Sequence, residues 1–260
     1  MVEHELNEPL LGIAWDGTGY GLDGTIWGGE FITYDGSSFS RIGTFSPFPL
    51  PGGDAAVKES VRSAIGMLFA SGGRTAVERN ITGTMMAGNN LPLILRMLEK
   101  NIHSPMTSSV GRIFDGIGAL LGIRIQSKFE GQTAMEVEFS AMESNDRNEY
   151  PFQIEASVDG TFVVRWHDVV SSVISDRNSG ISAADCSRRF HNTLTSVIVS
   201  GAQRAGLNKV LLSGGCFQNM ILLEHTIGVL RRNGFSPYWH QRIPTNDGGI
   251  SVGQACMQNL

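Results

Sequence analysis

A chain of 260 residues with 41% hydrophobic content can bury a sizeable core, in one large α/β domain or two small ones. A formal charge of −5 with no run of Lys or Arg excludes the basic footprint of a nucleic-acid groove or an anionic membrane surface, so a small acidic or neutral partner is expected. Cys186, Cys216 and Cys256 are too few and too widely spaced for a disulfide framework or a zinc ribbon, no run reaches the roughly 18 apolar residues of a membrane span, and MVEHELNEP lacks a signal peptide's apolar centre, which together predict a cytoplasmic protein with no membrane partner.

In chain order, LLGIAW (10–15) reads as a buried strand, and GTIWGGEFITYD and SFSRIGTFSPF continue an antiparallel meander, with Asp23-Gly24 as a hairpin turn. PLPGGD breaks the sheet. Asp54 is placed to N-cap a covering helix in which Val57, Val61, Ile65 and Leu68 share a face. NLPLILRMLEKN and GRIFDGIGALLGI follow as helices joined by the polar turn HSPMTSS. NDRNEYPFQIEASVDGT and FVVRWHDVV predict an insertion-like pair of strands. RRFHNTLTSVIVSGAQRAG is a helix stopped by Gly206, KVLLSGG a buried strand entering a glycine turn, FQNMILLEHTIGVLRRNG a helix ending at Gly234, FSPYWHQRIP a final strand and GGISVGQACMQ a final helix. Alternating strands and helices at short spacing predict parallel βαβ packing for the second half. A three-stranded meander, a helix and then alternating units is the element order of a ribonuclease H-like α/β lobe, read here as a single domain over 1–260.

The 32 glycines exceed the roughly 7% of average usage and fall in pairs where the backbone turns sharply or approaches something closely. In LLSGGCFQN, Ser213, Gly214 and Gly215 stand at a strand's carboxyl end and a helix's amino end, where N–H groups favour an anion; the site is either a nucleotide site or an ordinary turn with Ser213 as cap. PTNDGGISVGQA repeats the pattern. Asp247 there can hold a divalent cation beside the space left by Gly248 and Gly249, or it simply N-caps the last helix. Asp16, ending the first strand, faces the same choice, and the convergence of two such aspartates on one sheet edge favours the metal reading. AWDGTGYGLDGTIWGGEF (14–31) has neither the spacing of a calcium loop nor the Lys and Ser/Thr of a P-loop. Arg112 and Asp115 form an intrahelical ion pair, or Asp115 accepts ribose hydroxyls. The six histidines lie at no metal-ligand spacing, and Cys216 has no His or Asp neighbour in sequence, so packing is its expected role.

Taken together, LGIAWDGTGYGLDGTIWGGEF, PLPGGDAAVKE, SSVGRIFDGIGALLGI, FEGQTAMEVE, RFHNTL, LSGGCFQNMILLE and IPTNDGGISVGQA resemble, in order and spacing, the carboxy-terminal part of the HypF carbamoyltransferases, across nearly the whole chain. The resemblance implies a lobe of the actin-like ATPase and sugar-kinase superfamily, related to the TsaD family. It implies ATP, ADP or carbamoyl-adenylate as ligand, with a divalent metal (Mg, Fe or Zn). It also implies HypE as partner, whose carboxy-terminal cysteine receives the carbamoyl group during cyanide synthesis for nickel–iron hydrogenases. Carried over by motif, Asp16 and Asp247 are metal ligands; Ser213, Gly214, Gly215, Asn219 and Gly248 line the nucleotide; Asp115, Gly131 and Glu136 face its ribose. The family's H-H-x-A-H motif would precede Leu10, and His4 is not that motif, so the lobe is expected to be inactive without the upstream portion of such a protein. Two rivals are a non-catalytic nucleotide-binding or partner-docking lobe, and an O-carbamoyltransferase acting on a small metabolite.

Overall fold

The protein is described by a computed structural model that covers residues 1–86 and 90–257. The period-two alternation of the first strand decides the architecture: in β1 (Leu10–Tyr20), Leu11, Ile13 and Trp15 are fully buried on one face, while Gly12, Ala14 and Asp16 look the other way. β2 (Ile26–Tyr34) and β3 (Phe39–Phe45) pair antiparallel in sequence, giving the expected meander. The hairpin turns at Asp23-Gly24, where the Asp23 carboxylate accepts from the Thr25 N–H and hydroxyl and the Trp27 indole.

Among the described residues the sheet has nine strands. Its main path runs β6 (Gln153–Ala156), β7 (Phe162–Arg165), β3, β2, β1, β8 (Lys209–Ser213), β9 (Ser236–Trp239), and the short β4 (Phe48–Pro49) and β5 (Met106–Thr107) pair beside β2. β1, β8 and β9 are parallel, as the alternating second half predicts. With the antiparallel β3-β2-β1 run this is the ribonuclease H-like order expected from the sequence.

Eight of the nine helices precede the last strand: α1 (Asp54–Lys58), α2 (Ser60–Asn80), α3 (Leu91–Glu99), α4 (Val110–Leu120), α5 (Gln132–Met142), α6 (His167–Asn178), α7 (Ala183–Ala205) and α8 (Met220–Arg232); α9 (Ile250–Met257) follows it, and all are counted among the described residues. α2, α4 and α7 contribute Val61, Ile65, Ile113, Ile117, Phe190 and Leu194 to the core on the Trp15 face. Trp15 sits at its centre, edge-on to Phe31 and Phe45 and stacked on Phe217. Among the described residues the opposite face carries the small cluster of Leu6, Leu10 and Tyr34, and much of the rest of it borders a cleft.

Several elements depart from the sequence reading. Asp54 is the first residue of α1 rather than its cap; Gly53 is the cap, and the helix is cut at Glu59 before resuming as α2. FVVRWHDVV is half strand and half helix, because Trp166 leaves β7, donates its indole N–H to the Ser46 carbonyl and becomes the cap residue of α6. FEGQTAMEVE contains the amino end of α5. The polar turn HSPMTSS holds β5, and the last residue of GGISVGQACMQ, Gln258, lies outside the described residues.

Candidate functional site

The site begins where two parallel strands part. β1 and β8 stay in register from Leu11 with Val210 to Ala14 with Ser213; beyond that pair, Asp16 and the Gly214-Gly215 turn diverge at the carboxyl edge of the sheet. A cleft of about 840 Å³ opens there, lined by Asp16, Glu30, Ser213, Gly214, His240 and Asp247 among others.

Each of these residues is fixed by a local cause. The Asp16 carboxylate accepts from the Gly17 N–H at 2.7 Å. The carbonyls of Asp16 and Gly17 accept from the Ser109 hydroxyl at 2.6 and 2.8 Å, and that same hydroxyl accepts from the Arg112 N–H as the N-cap of α4. One side chain therefore bolts the start of α4 to the middle of β1, which does not end at Asp16 as the sequence reading has it but resumes its pairing with β2 at Gly19 and runs to Tyr20. The glycine pair is required by proximity to β1. Gly214 has φ +102° and a Cβ on it would collide with the Trp15 carbonyl, while a Cβ on Gly215 would lie 2.8 Å from the Asp16 carboxylate.

The loop after β9 is drawn to the same edge. The Gly214 N–H donates to the Thr245 carbonyl at 3.1 Å, and the Thr245 hydroxyl donates back to the Gly214 carbonyl at 3.0 Å. Ser213 and His240 are hydrogen-bonded at 2.9 Å, and burial pushes His240 below the usual imidazole range. The N-cap reading of Asp247 does not hold: Asn246 caps the 3₁₀ turn Asp247–Gly249 by accepting from the Gly248 N–H, and the Asp247 side chain stays exposed on the cleft. Ser213 is not a cap either. A 3₁₀ turn, Gly215–Gln218, separates the glycines from α8, whose cap is Asn219.

The structure thus gathers Asp16, Ser213, Gly214 and Asp247 on one cleft, with Gly215 directly behind Asp16 and Gly248 beside Asp247. Asp115, Gly131 and Glu136 belong to a different neighbourhood, on α4 and α5. Asp115 is 3% exposed and sits 3.0 Å from the Arg112 guanidinium, itself 2% exposed. The pair is held by charge alone: Arg112 Nη1 and Asp115 Oδ2 make no hydrogen bond of good geometry, so the ion-pair reading of the sequence is met without full satisfaction. Burial, with Glu130 adding, raises the Asp115 carboxyl to about 6, against the opposing pull of Arg112. Glu136 is engaged by Arg124 at 2.6 Å and by Gln132 at 3.0 Å, and the Arg124 guanidinium draws it below the usual carboxylate range. Gly131 is the left-handed N-cap of α5, with φ +79°. Cys216 is buried between the two neighbourhoods: burial pushes its thiol up, and the charges of Asp16, Arg112 and Asp115 all reach it. Its expected packing role fits that environment.

The two aspartates are hard oxygen donors on one cleft, which suits a divalent cation. They are part of a shell at most: among the described residues, no three His, Cys, Asp or Glu side chains stand close enough to hold a metal.

Glu30 escaped the sequence reading. It lines the cleft yet is 2% exposed, with Oε1 accepting from Ser108 at 2.5 Å, Thr44 at 3.2 Å and the Gly28 and Gly29 N–H groups, and Oε2 2.9 Å from Arg41 Nε. Its signal was one carboxylate inside the apolar strand WGGEFITY. Among the described residues no helix is long and apolar enough to cross a membrane.

Comparison with known proteins gives a consistent picture. Residues 12–254 match the family model of the carbamoyltransferase Kae1-like domain, second subdomain, of HypF. The carbamoyltransferase HypF of Synechocystis is 36% identical over 273 residues, covering 98% of this chain and 35% of that protein. A HypF homologue of Cupriavidus necator is 32% identical, covering 98% and 66%. Among solved structures, full-length HypF in its phosphate- and nucleotide-bound form superposes with a TM-score of 0.90 at 36% identity, covering all of this chain and 34% of that one, and T. kodakarensis HypF with 0.86 at 29% identity, covering 99% and 35%. The chain spans about a third of the length of most of these relatives.

Proposed function

This chain belongs to the HypF carbamoyltransferase family, and from that premise we propose that its strand-end cleft is one wall of a site that holds a nucleotide or carbamoyl-adenylate for carbamoyl transfer. The observation that carries the reading is the junction of β1 and β8: Gly214 lies against the Trp15 backbone and Gly215 against Asp16, and Asp16 and Asp247 both line a cleft of about 840 Å³. The cleft lies at the carboxyl ends of parallel strands, where backbone N–H groups point outward and a phosphate finds donors without a side chain in the way.

In this reading the chain binds and orients. Gly214 and Gly215 let the turn after β8 close against Trp15 and Asp16 of β1, and Ser109 holds the Asp16 and Gly17 carbonyls so that this part of β1 keeps its place beside the cleft. Asp16 and Asp247 would supply oxygen ligands to a divalent metal, which when bound would offset the negative charge of the phosphate. The acceptor is the carboxy-terminal cysteine of HypE. Its thiolate attacks the carbamoyl carbon, the carbon–oxygen bond to the phosphate breaks, and the electron pair leaves with AMP, giving a thiocarbamate. His240, which burial keeps mostly neutral, and Ser213 line the wall on which that charge shifts.

The chain spans about a third of its relatives, so we assign it the role of one lobe, which binds nucleotide and transfers the carbamoyl group only when residues beyond its own complete the site. The test is to supply the chain, carbamoyl-adenylate and a HypE tail peptide, with and without the remaining portion of a relative added in trans. Thiocarbamate is expected only in the complemented reaction; transfer by the chain alone contradicts the single-lobe role, and none in either mixture contradicts the transfer reading.

A further inference from the structure

Between the end of β9 at Trp239 and the 3₁₀ turn Asp247–Gly249 the chain has no regular structure, yet it forms the wall of the cleft that carries Asp247. The N–H groups of such a stretch need partners from elsewhere. Three of them share one side chain: the Glu3 carboxylate accepts from the N–H of Gln241 at 3.1 Å, of Arg242 at 2.6 Å and of Ile243 at 3.5 Å. Successive N–H groups turned onto one anion form a concavity fitted to it; here the anion belongs to the chain itself. The Arg242 guanidinium donates to the Glu3 carbonyl at 2.9 Å, and His240 Nδ1 stands 4.0 Å from the same carboxylate. Glu3 lies in the short 3₁₀ turn Val2–His4, 238 positions before Gln241, and its side chain is 5% exposed. Burial opposes its charge, but the three N–H groups and His4 draw the carboxyl below its usual range, so it is anionic at neutral pH.

The hydrogen bonds of His240 to Ser213 and of Thr245 to Gly214 tie the two ends of this wall, and Glu3 holds what lies between. The constraint reaches Asp247 by a short path. Ile243 precedes Pro244, whose ring fixes its own φ and restricts the residue before it. The Pro244 carbonyl is packed onto the next turn so closely that a Cβ on Gly249 would lie 2.4 Å from it. We infer that Glu3 is a positioning residue of the cleft: its carboxylate sets the course of the backbone at 241–243 and, through Pro244, the place from which Asp247 faces the cleft. The positioning role rests on the reading of the cleft as a metal and nucleotide site; the clasp of Glu3 on the wall does not. The Glu8–Lys209 ion pair supplies the comparison, because it ties the same segment to the amino end of β8 and neither residue lines the cleft.

The test titrates ADP with Mg²⁺ into the 260-residue chain and into Glu3→Ala and Glu8→Ala, and follows amide hydrogen exchange at 241–243 with melting temperatures alongside. Glu3→Ala is expected to speed exchange at those three amides and to weaken ADP binding about tenfold, the order of one lost hydrogen bond to a charged group. Acetate, which matches the group the substitution removes, is expected to reverse both effects relative to chloride at the same ionic strength, and Glu8→Ala to leave both readings at the wild-type values. Binding by Glu3→Ala within twofold of wild type, an equal loss in Glu8→Ala, or a loss that acetate does not reverse overturns the positioning role, and unchanged exchange at 241–243 overturns the clasp. Should Glu3→Ala not fold, Glu3→Gln takes its place without the acetate arm, since its amide NH₂ must face one of the three N–H groups, and the same changes in exchange and binding are required of it. A wild-type chain that binds no ADP contradicts the nucleotide reading itself, while the exchange rates still decide the clasp.

Discussion

Two buried groups, Asp115 and His191, titrate against their ordinary habit and in opposite senses. Asp115 is raised to about 6 from 3.8, so its contribution to stability is complete below pH 3.8 and is lost as pH rises through about 6; His191 is lowered to about 4 from 6.5, so its contribution is complete above pH 6.5 and is lost as pH falls through about 4. Between pH 4 and 6 the two oppose each other. Denaturant unfolding of Asp115→Asn across that window should therefore show stability rising with pH, and His191→Gln should show it falling; parallel slopes in the two variants would refute these assignments. Gly214 poses a steric question instead. Gly214→Ala combines a positive φ with a collision against the Trp15 carbonyl, and a loss of about 2–4 kcal/mol in unfolding free energy is expected, against about 1 kcal/mol for Gly160→Ala, which has the positive φ without a clash. The glycine pair was legible from its place after an apolar run. The hydrogen bond of Asn219 to His191 was not, because the two lie 28 residues apart.

At the level of elements, the site depends on how α4 meets β1. Ser109→Ala removes the N-cap of α4 and should cost about 1–2 kcal/mol in stability. The same hydroxyl holds the Asp16 and Gly17 carbonyls, so ADP binding in the presence of a divalent metal should weaken as well. Asn90→Ala removes the equivalent cap of α3, far from the cleft, and should lower stability while leaving ADP binding unchanged; equal effects of the two variants on binding would contradict the bolt. The helical periods of α7 and α8 were plain in the sequence because each buries one apolar face, whereas α4 is buried on every side and showed itself by the spacing of Ile113, Ile117 and Leu120. α5 was hidden: only Thr133, Val137 and Ala141 of its eleven residues are buried, and Met135, Phe139 and Met142 are exposed, so no clear apolar stripe marks it. The 3₁₀ turn before α8 was hidden for a different reason, since SGGCFQNM reads as one continuous entry into a helix until the Asn219 cap is seen.

Over the whole molecule, one face of the sheet is packed by α2, α4 and α7 around Trp15, and the other opens on the cleft. The meander and the parallel second half were readable because hydrophobic alternation and strand-to-helix spacing record exposure directly. The convergence expected of Asp16 and Asp247, 231 positions apart, is met, because β1, β8 and β9 are adjacent and parallel and bring both to one cleft. What sequence order did not show is that Glu136, carried over with Asp115 as a ribose contact, is paired with Arg124. The central claim is that this cleft binds nucleotide through a metal held by Asp16 and Asp247. Calorimetric titration of ADP, with and without a divalent cation, into the wild-type chain and into Asp247→Ala tests it most directly, since the exposed Asp247 side chain can be removed without disturbing the core. Metal-dependent binding by the wild type that is lost in Asp247→Ala is the predicted result; no metal-dependent binding at millimolar ADP, or undiminished binding by the variant, would contradict the account.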